Sequence, residues 1–204
     1  MPCNIRLIAI TDMTVADEEL LLQRAERLCA SSVSGSIMIQ WRDRELCMRE
    51  RLRLGRALAR ITQAHSQVFC VNDRADLALA LEATGLHLGE SSVSAARVRA
   101  RFPRRFWLTR AAHSPQACQS MGADAVLLSP ICSPRKGASS LGLGGLKRAC
   151  EQADVPVFAL GGVDANNARA CIEAGAAGVA AIGAWLACES LAPLVDALGI
   201  ARLS

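Results

Sequence analysis

Cations, carboxylates, amides and glycines recur just past the ends of short apolar runs. Gln40, Arg42 and Arg44 follow one run, and Asn72 and Asp73 follow the next. His87, Glu90 and Ser92 close a third, Arg110 and His113 a fourth, and Ser133 and Lys136 a fifth. Gly161, Gly162 and Gly183 end the last two. Arg and Lys neutralise a bound anion, carboxylates hold a hard cation or a proton, and glycine lets backbone N–H groups approach a phosphate. In ALGGV at 159–163 and AAIGA at 180–184 the glycines also stand where a helix begins, and a helix N-terminus favours negative charge. These residues therefore suit a phosphate-bearing ligand; a tight turn alone would also account for Gly161 and Gly162.

Other chemistries find less support. Three histidines without close spacing give no zinc signature. Cys132 has no evident base beside it, and reads as a packing thiol. His87, inside the apolar GLHLG, reads as a hydrogen-bonded core histidine. No nucleophile elbow, P-loop or dinucleotide fingerprint occurs.

The elements that must position these groups are repeated βα units. Strands are expected at Ile5–Ile10, Ser36–Gln40, Gln67–Val71, Gly85–Leu88, Arg105–Thr109, Ala125–Leu128, Val157–Leu160 and Gly178–Ile182. Helices are expected at Asp17–Ala30, Glu45–Ala64, Arg74–Ala83 and Asp164–Ala174, with another after Ala184 and a short one, about two turns, between strands five and six. No linker or low-complexity tract divides residues 1–204, so one domain is expected. Eight is the number at which parallel strands close, which predicts an α/β single-domain parallel (β/α)8 TIM barrel. In such a barrel all the groups named above share one mouth.

Composition agrees. Hydrophobic residues make up 51% and aromatics 3%, with no Tyr, so the core is aliphatic. The net charge is +4, and Arg49, Arg53, Arg56 and Arg60 recur at helical spacing opposite Cys47, Leu54, Leu58 and Ile61, as on a solvated helix face. Without interleaved aromatics, nucleic acid is not an expected partner. Nine cysteines, an odd number without a CxxC pair, read as reduced thiols, and the absence of a signal-like start or a long apolar run predicts a cytoplasmic protein outside the membrane. Monomer or homo-oligomer is left open.

The stretch ALGGVDANNARACIEAGAAGVAAIGA resembles the closing signature of the thiamin phosphate synthase and TenI superfamily. QWRDR at 40–44 is similar to its Q-x-R-x-K motif, VNDRADLALALEATGLHLGE at 71–90 to its Asn-Asp and GxHLGQ segments, and GADAVLLSPICSPRKG at 122–137 to its threonine- and lysine-bearing turn. The resemblance implies that a pyrimidine methyl pyrophosphate is joined to a thiazole phosphate, with release of pyrophosphate and with Mg2+. It implies Arg42, Arg44 and Lys136 as pyrophosphate ligands, Gln40 and Asn72 on the pyrimidine substrate, Asp73 on the metal, and Gly161, Gly162 and Gly183 around the thiazole phosphate.

Departures from the pattern point to alternatives. Ser92 stands where the family has its second metal carboxylate, so a metal site here would be rebuilt around Glu90 or be weak. SPRK at 133–136 lacks the two threonines, leaving Ser133 to supply a hydroxyl. TenI-like members isomerise a thiazole carboxylate phosphate by proton transfer, a role for which His113 is the candidate and Arg110 the alternative from an ungapped count. A non-catalytic binder of thiamin precursors is the third reading.

Overall fold

The computed structural model describes residues 4–43, 45–134 and 139–202. Among them, eight strands run β1 Leu7–Ile10, β2 Ile37–Trp41, β3 Val68–Asn72, β4 Gly85–Leu88, β5 Trp107–Ala112, β6 Ala125–Leu128, β7 Val157–Leu160 and β8 Gly178–Ala181. Every neighbouring pair is parallel, and β1 pairs with both β2 and β8, which closes the expected barrel.

Strand residues are buried on both faces, so two apolar layers form. Ile8, Ile10, Met38, Cys70, Leu127, Phe158 and Ala180 fill the barrel interior, where Trp107 meets Phe158 edge to face at 6.1 Å. Leu7, Ile39, Val71, Leu86, Leu108, Val126 and Val179 pack outward against the helices. Aliphatic side chains suffice for both layers, which fits the aromatic-poor composition.

The helices are α1 Glu18–Ser31, α2 Met48–Ala64, α3 Ala75–Ala80, α4 Ala95–Arg101, α5 Gly142–Gln152, α6 Ala168–Glu173, α7 Gly183–Leu186 and α8 Ala192–Ala197. Asp17 starts α1 by accepting the Leu20 N–H at 2.9 Å. On α2, Leu54 and Leu58 are buried, Ile61 is half-buried, and Arg49, Arg53, Arg56 and Arg60 are exposed, as the spacing predicts. Cys47 departs from that prediction: it is exposed and precedes the helix, with its N–H donating to Glu50 at 3.2 Å.

Three boundaries move for local reasons. β5 begins later than expected because Arg104 takes a positive φ of 53° in the preceding turn. Between β5 and β6 stands only a three-residue 3-10 turn, Pro115–Ala117, in place of the expected two-turn helix. The Arg110 guanidinium closes that turn by donating to the carbonyls of Ala117, Gln119 and Ala111. Residues 164–167 form a side-chain-bonded turn before α6: Asn166 N–H donates to Asp164 at 2.8 Å, and Asp164 N–H donates to Asn167 at 3.0 Å.

Candidate functional site

The carboxyl ends of the strands enclose a cavity of about 780 Å3, lined by Gln40, Arg42, Asn72, His87, Glu90, His113 and Ser129, with Ile10, Leu127, Leu160 and Ile182 as its apolar wall. The neighbouring registers Asn72↔His87 and His87↔Thr109 set the polar groups side by side. Gln40 is 1% exposed and Asn72 4%. Gln40 Nε2 donates to Asn72 Oδ1 at 3.4 Å, leaving Gln40 Oε1 and Asn72 Nδ2 buried and without a partner among the described residues. An unpaired buried polar atom costs about 1–3 kcal/mol. Residues Gln40 and Asn72, which line the cavity, thus keep unmet capacity for one donor and one acceptor.

Arg42 stands at the exit of β2, its guanidinium 3.7 Å from Asp12. His87 shares a 2.8 Å hydrogen bond with Thr109 Oγ1 and is 7% exposed, so it is both a bonded core histidine and part of the cavity wall. His113, not Arg110, is the residue of β5 and its following loop that lines the cavity from that side with a titratable group. Its Nδ1 lies 2.9 Å from the Ser129 carbonyl oxygen. A carbonyl only accepts, so Nδ1 carries the hydrogen and Nε2 is the basic nitrogen of the neutral ring. That Nε2 lies 3.6 Å from the Glu90 carboxylate.

The second cavity, about 580 Å3, shares Leu160 and Ile182 with the first and is lined by Ser133, Gly161, Gly162 and Gly183. Gly161 and Gly162 have φ of 100° and 72°, a region that favours glycine. A Cβ on Gly162 would collide with Ser133 Oγ, and the backbone is held there by Cys132 and Ser133 N–H groups donating to Gly161 O at 2.8 and 3.2 Å. Gly183 differs: nothing lies within 4 Å of a Cβ built on it, so it borders open space.

The metal candidates do not converge. Ser92 Oγ donates to Asp73 Oδ1, while Glu90 faces His113. Among the described residues no three His, Cys, Asp or Glu side chains form a group able to hold a metal ion. This donor set does not fit a protein-built Mg2+ cage, which would need several oxygens around one point. Arg44 and Lys136 lie outside the described residues. Sequence reading assigned no role to Thr11, nor to Asp43 within QWRDR, and both bear on Arg42.

The thiamine monophosphate synthase family model matches residues 7–185 of this chain. The chain belongs to that family. A putative thiamine-phosphate synthase 2 of Aquifex aeolicus is 34% identical over 186 residues, covering 89% of this chain and 97% of its own. A thiamine-phosphate synthase of Gloeobacter violaceus is 36% identical over 160 residues, 76% of this chain but 47% of its own length, so the chain spans about half of that relative. A thiamine phosphate pyrophosphorylase from Pyrococcus furiosus superposes with a TM-score of 0.80 at 26% identity, covering 96% of both chains. No helix among the described residues is long and apolar enough to cross a membrane.

Proposed function

We propose that the chain is a thiamin phosphate synthase, joining a hydroxymethylpyrimidine pyrophosphate to a thiazole phosphate with release of pyrophosphate. Its support, beyond family membership, is the pair of orphaned amide atoms of Gln40 and Asn72 beside Arg42, which matches a heteroaromatic ring carrying an anionic leaving group. In this reading the carbon–oxygen bond to pyrophosphate breaks and leaves a cationic methylene carbon. Arg42 neutralises the charge that builds on the departing pyrophosphate, aided by Arg44 and Lys136. The amides of Gln40 and Asn72 hold the pyrimidine. Ile10, Leu127, Leu160 and Ile182 keep water from the cation until the thiazole nitrogen attacks it and forms the carbon–nitrogen bond. Gly161, Gly162, Gly183 and Ser133 cradle the thiazole phosphate, and Asp73 with the diphosphate oxygens is where Mg2+ would associate. The eight cysteines among the described residues are free thiols, in keeping with a cytoplasmic setting.

A second reading, a TenI-like tautomerase, draws on one observation: the His113 imidazole lines the cavity with Nδ1 held on Ser129 O and Nε2 beside Glu90, an arrangement suited to proton transfer. One experiment separates the two. Purified protein is given both substrates, with and without Mg2+, and thiamin phosphate is measured. Product establishes the synthase; no product, together with isomerisation of a thiazole carboxylate phosphate that His113→Gln abolishes, establishes the tautomerase. Binding without either reaction leaves a precursor-binding protein.

A further inference from the structure

Resting on the synthase reading of Arg42, we propose that Thr11 and Asp43 are positioning residues that set the arginine for the pyrophosphate. The case begins with how β1 and β2 end. Their backbone ladder runs to Ile10↔Gln40 and continues with Thr11 N–H donating to Gln40 O at 3.0 Å. The next donor, Arg42 N–H, finds no carbonyl; it donates to Thr11 Oγ1 at 2.9 Å.

That hydroxyl has a fixed direction. Thr11 Oγ1 donates its own hydrogen to Asp43 Oδ2 at 2.6 Å, which turns a lone pair toward Arg42 N–H. The other carboxylate oxygen, Asp43 Oδ1, accepts Met13 N–H at 2.6 Å. Thr11 is fully buried and Asp43 is 9% exposed. A largely buried carboxylate is an expensive way to close a strand pair. Other strand ends here close by backbone alone, as where Ser129 N–H donates to Ala112 O at 3.0 Å and Ile131 N–H to Leu160 O at 2.9 Å.

The location of the expense is informative. Three consecutive residues after β1 grip two consecutive residues after β2: Thr11 and Met13 hold the backbone of Arg42 and the side chain of Asp43, and Asp12 stands 3.7 Å from the Arg42 guanidinium. The peptide carrying Arg42 is thereby clamped on both sides, while Gln40 is tied to the same Thr11. A cation that must meet charge developing on a leaving group gains from being held in place before the reaction.

Thr11→Val keeps the shape and removes the hydroxyl; Thr11→Ser keeps the hydroxyl and removes the methyl. Asp43→Asn places an NH2 against one of two donors. Inorganic pyrophosphate binding to the full chain is measured by calorimetry, alongside kcat and both KM values of the synthase reaction. Thr11→Val and Asp43→Asn are expected to weaken pyrophosphate about tenfold. They should lower kcat by a similar factor, leave the KM for thiazole phosphate unchanged, and be matched by a near-parental Thr11→Ser. If Asp43→Asn does not fold, the Thr11 pair decides. Parental pyrophosphate affinity and kcat in Thr11→Val overturns the proposal, as does a Thr11→Ser protein as impaired as Thr11→Val, or a parent that does not bind pyrophosphate. A parent that forms no thiamin phosphate yet binds pyrophosphate in a Thr11-dependent way sinks the synthase reading and keeps this one.

Discussion

Gln40 and Asn72 touch each other at 3.4 Å across β2 and β3 in the wall of the cavity, and each keeps one buried polar atom without a partner among the described residues. The ligand-free protein therefore carries a cost that substrate would relieve. Asn72→Leu removes one orphaned atom but takes the acceptor from Gln40 Nε2, so the stability of the free protein should change by no more than about 1 kcal/mol, while kcat/KM for the pyrimidine pyrophosphate falls at least tenfold. Urea unfolding and steady-state kinetics check this together. A large loss of stability would mean that Asn72 is structural.

Ser92 donates to Asp73 at the position where the sequence resemblance leads one to expect a second metal carboxylate. Ser92→Asp should put two carboxylates in contact. Their repulsion lowers the thermal midpoint without Mg2+, and Mg2+ should restore it, since a hard cation takes oxygen ligands from both. The midpoint is measured across a Mg2+ titration in parent and variant. A variant midpoint that Mg2+ leaves where it was would show that the two side chains do not form a cation site.

The barrel was legible because eight apolar runs end in turn residues at regular spacing, and the strand carboxyl ends then gather Gln40, Arg42, Asn72, Glu90 and His113 around one cavity. Where spacing gave no answer, tertiary contacts decided. Arg110 and His113 were both eligible for the mouth; the structure spends Arg110 on the carbonyls of a shortened turn and leaves His113 facing the cavity. Glu90 looked available to a metal, yet its carboxylate faces an imidazole. Thr11, and Asp43 inside QWRDR, were given no role because a buried hydroxyl–carboxylate pair 32 positions apart has no local signature.

Gly162 combines a positive φ of 72° with direct contact to Ser133. Gly162→Ala must both strain the backbone and push Ser133 away, costing about 1–3 kcal/mol of stability. Because Ser133 and Gly162 line the same cavity, the KM for thiazole phosphate should rise with little change in the KM for the pyrimidine pyrophosphate. Gly183→Ala meets no atom within 4 Å, so it should keep parental stability and report on ligand contact alone. Equal stability loss in the two variants would contradict this assignment.

Burial pushes the Cys29 thiol up to about 12, with the Glu26 charge adding to the effect, and burial together with the Cys132 and Cys150 thiols pushes Cys171 up to about 12. Both are raised above the ordinary thiol value of 9.0, so their stabilising contribution is complete below about pH 9 and is lost as pH rises toward 12. The unfolded chain releases those protons first. Burial also pushes the Cys150 thiol up to about 11 and raises those of Cys70, Cys118 and Cys132, so these thiols add to the same loss, while the absence of Tyr and the presence of only two lysines, Lys136 and Lys147, keep groups of other kinds few. Raising the pH from 8 to 10 should therefore lower the unfolding free energy by about 1 kcal/mol for each of the two thiols. Urea unfolding under reducing conditions measures it, and a Cys29→Ala, Cys171→Ala double variant should show a pH dependence smaller than the parent's by about 2 kcal/mol, the remainder belonging to the other raised thiols. A parent equally stable at pH 8 and 10 would mean that these thiols ionise as readily in the fold as in the unfolded chain.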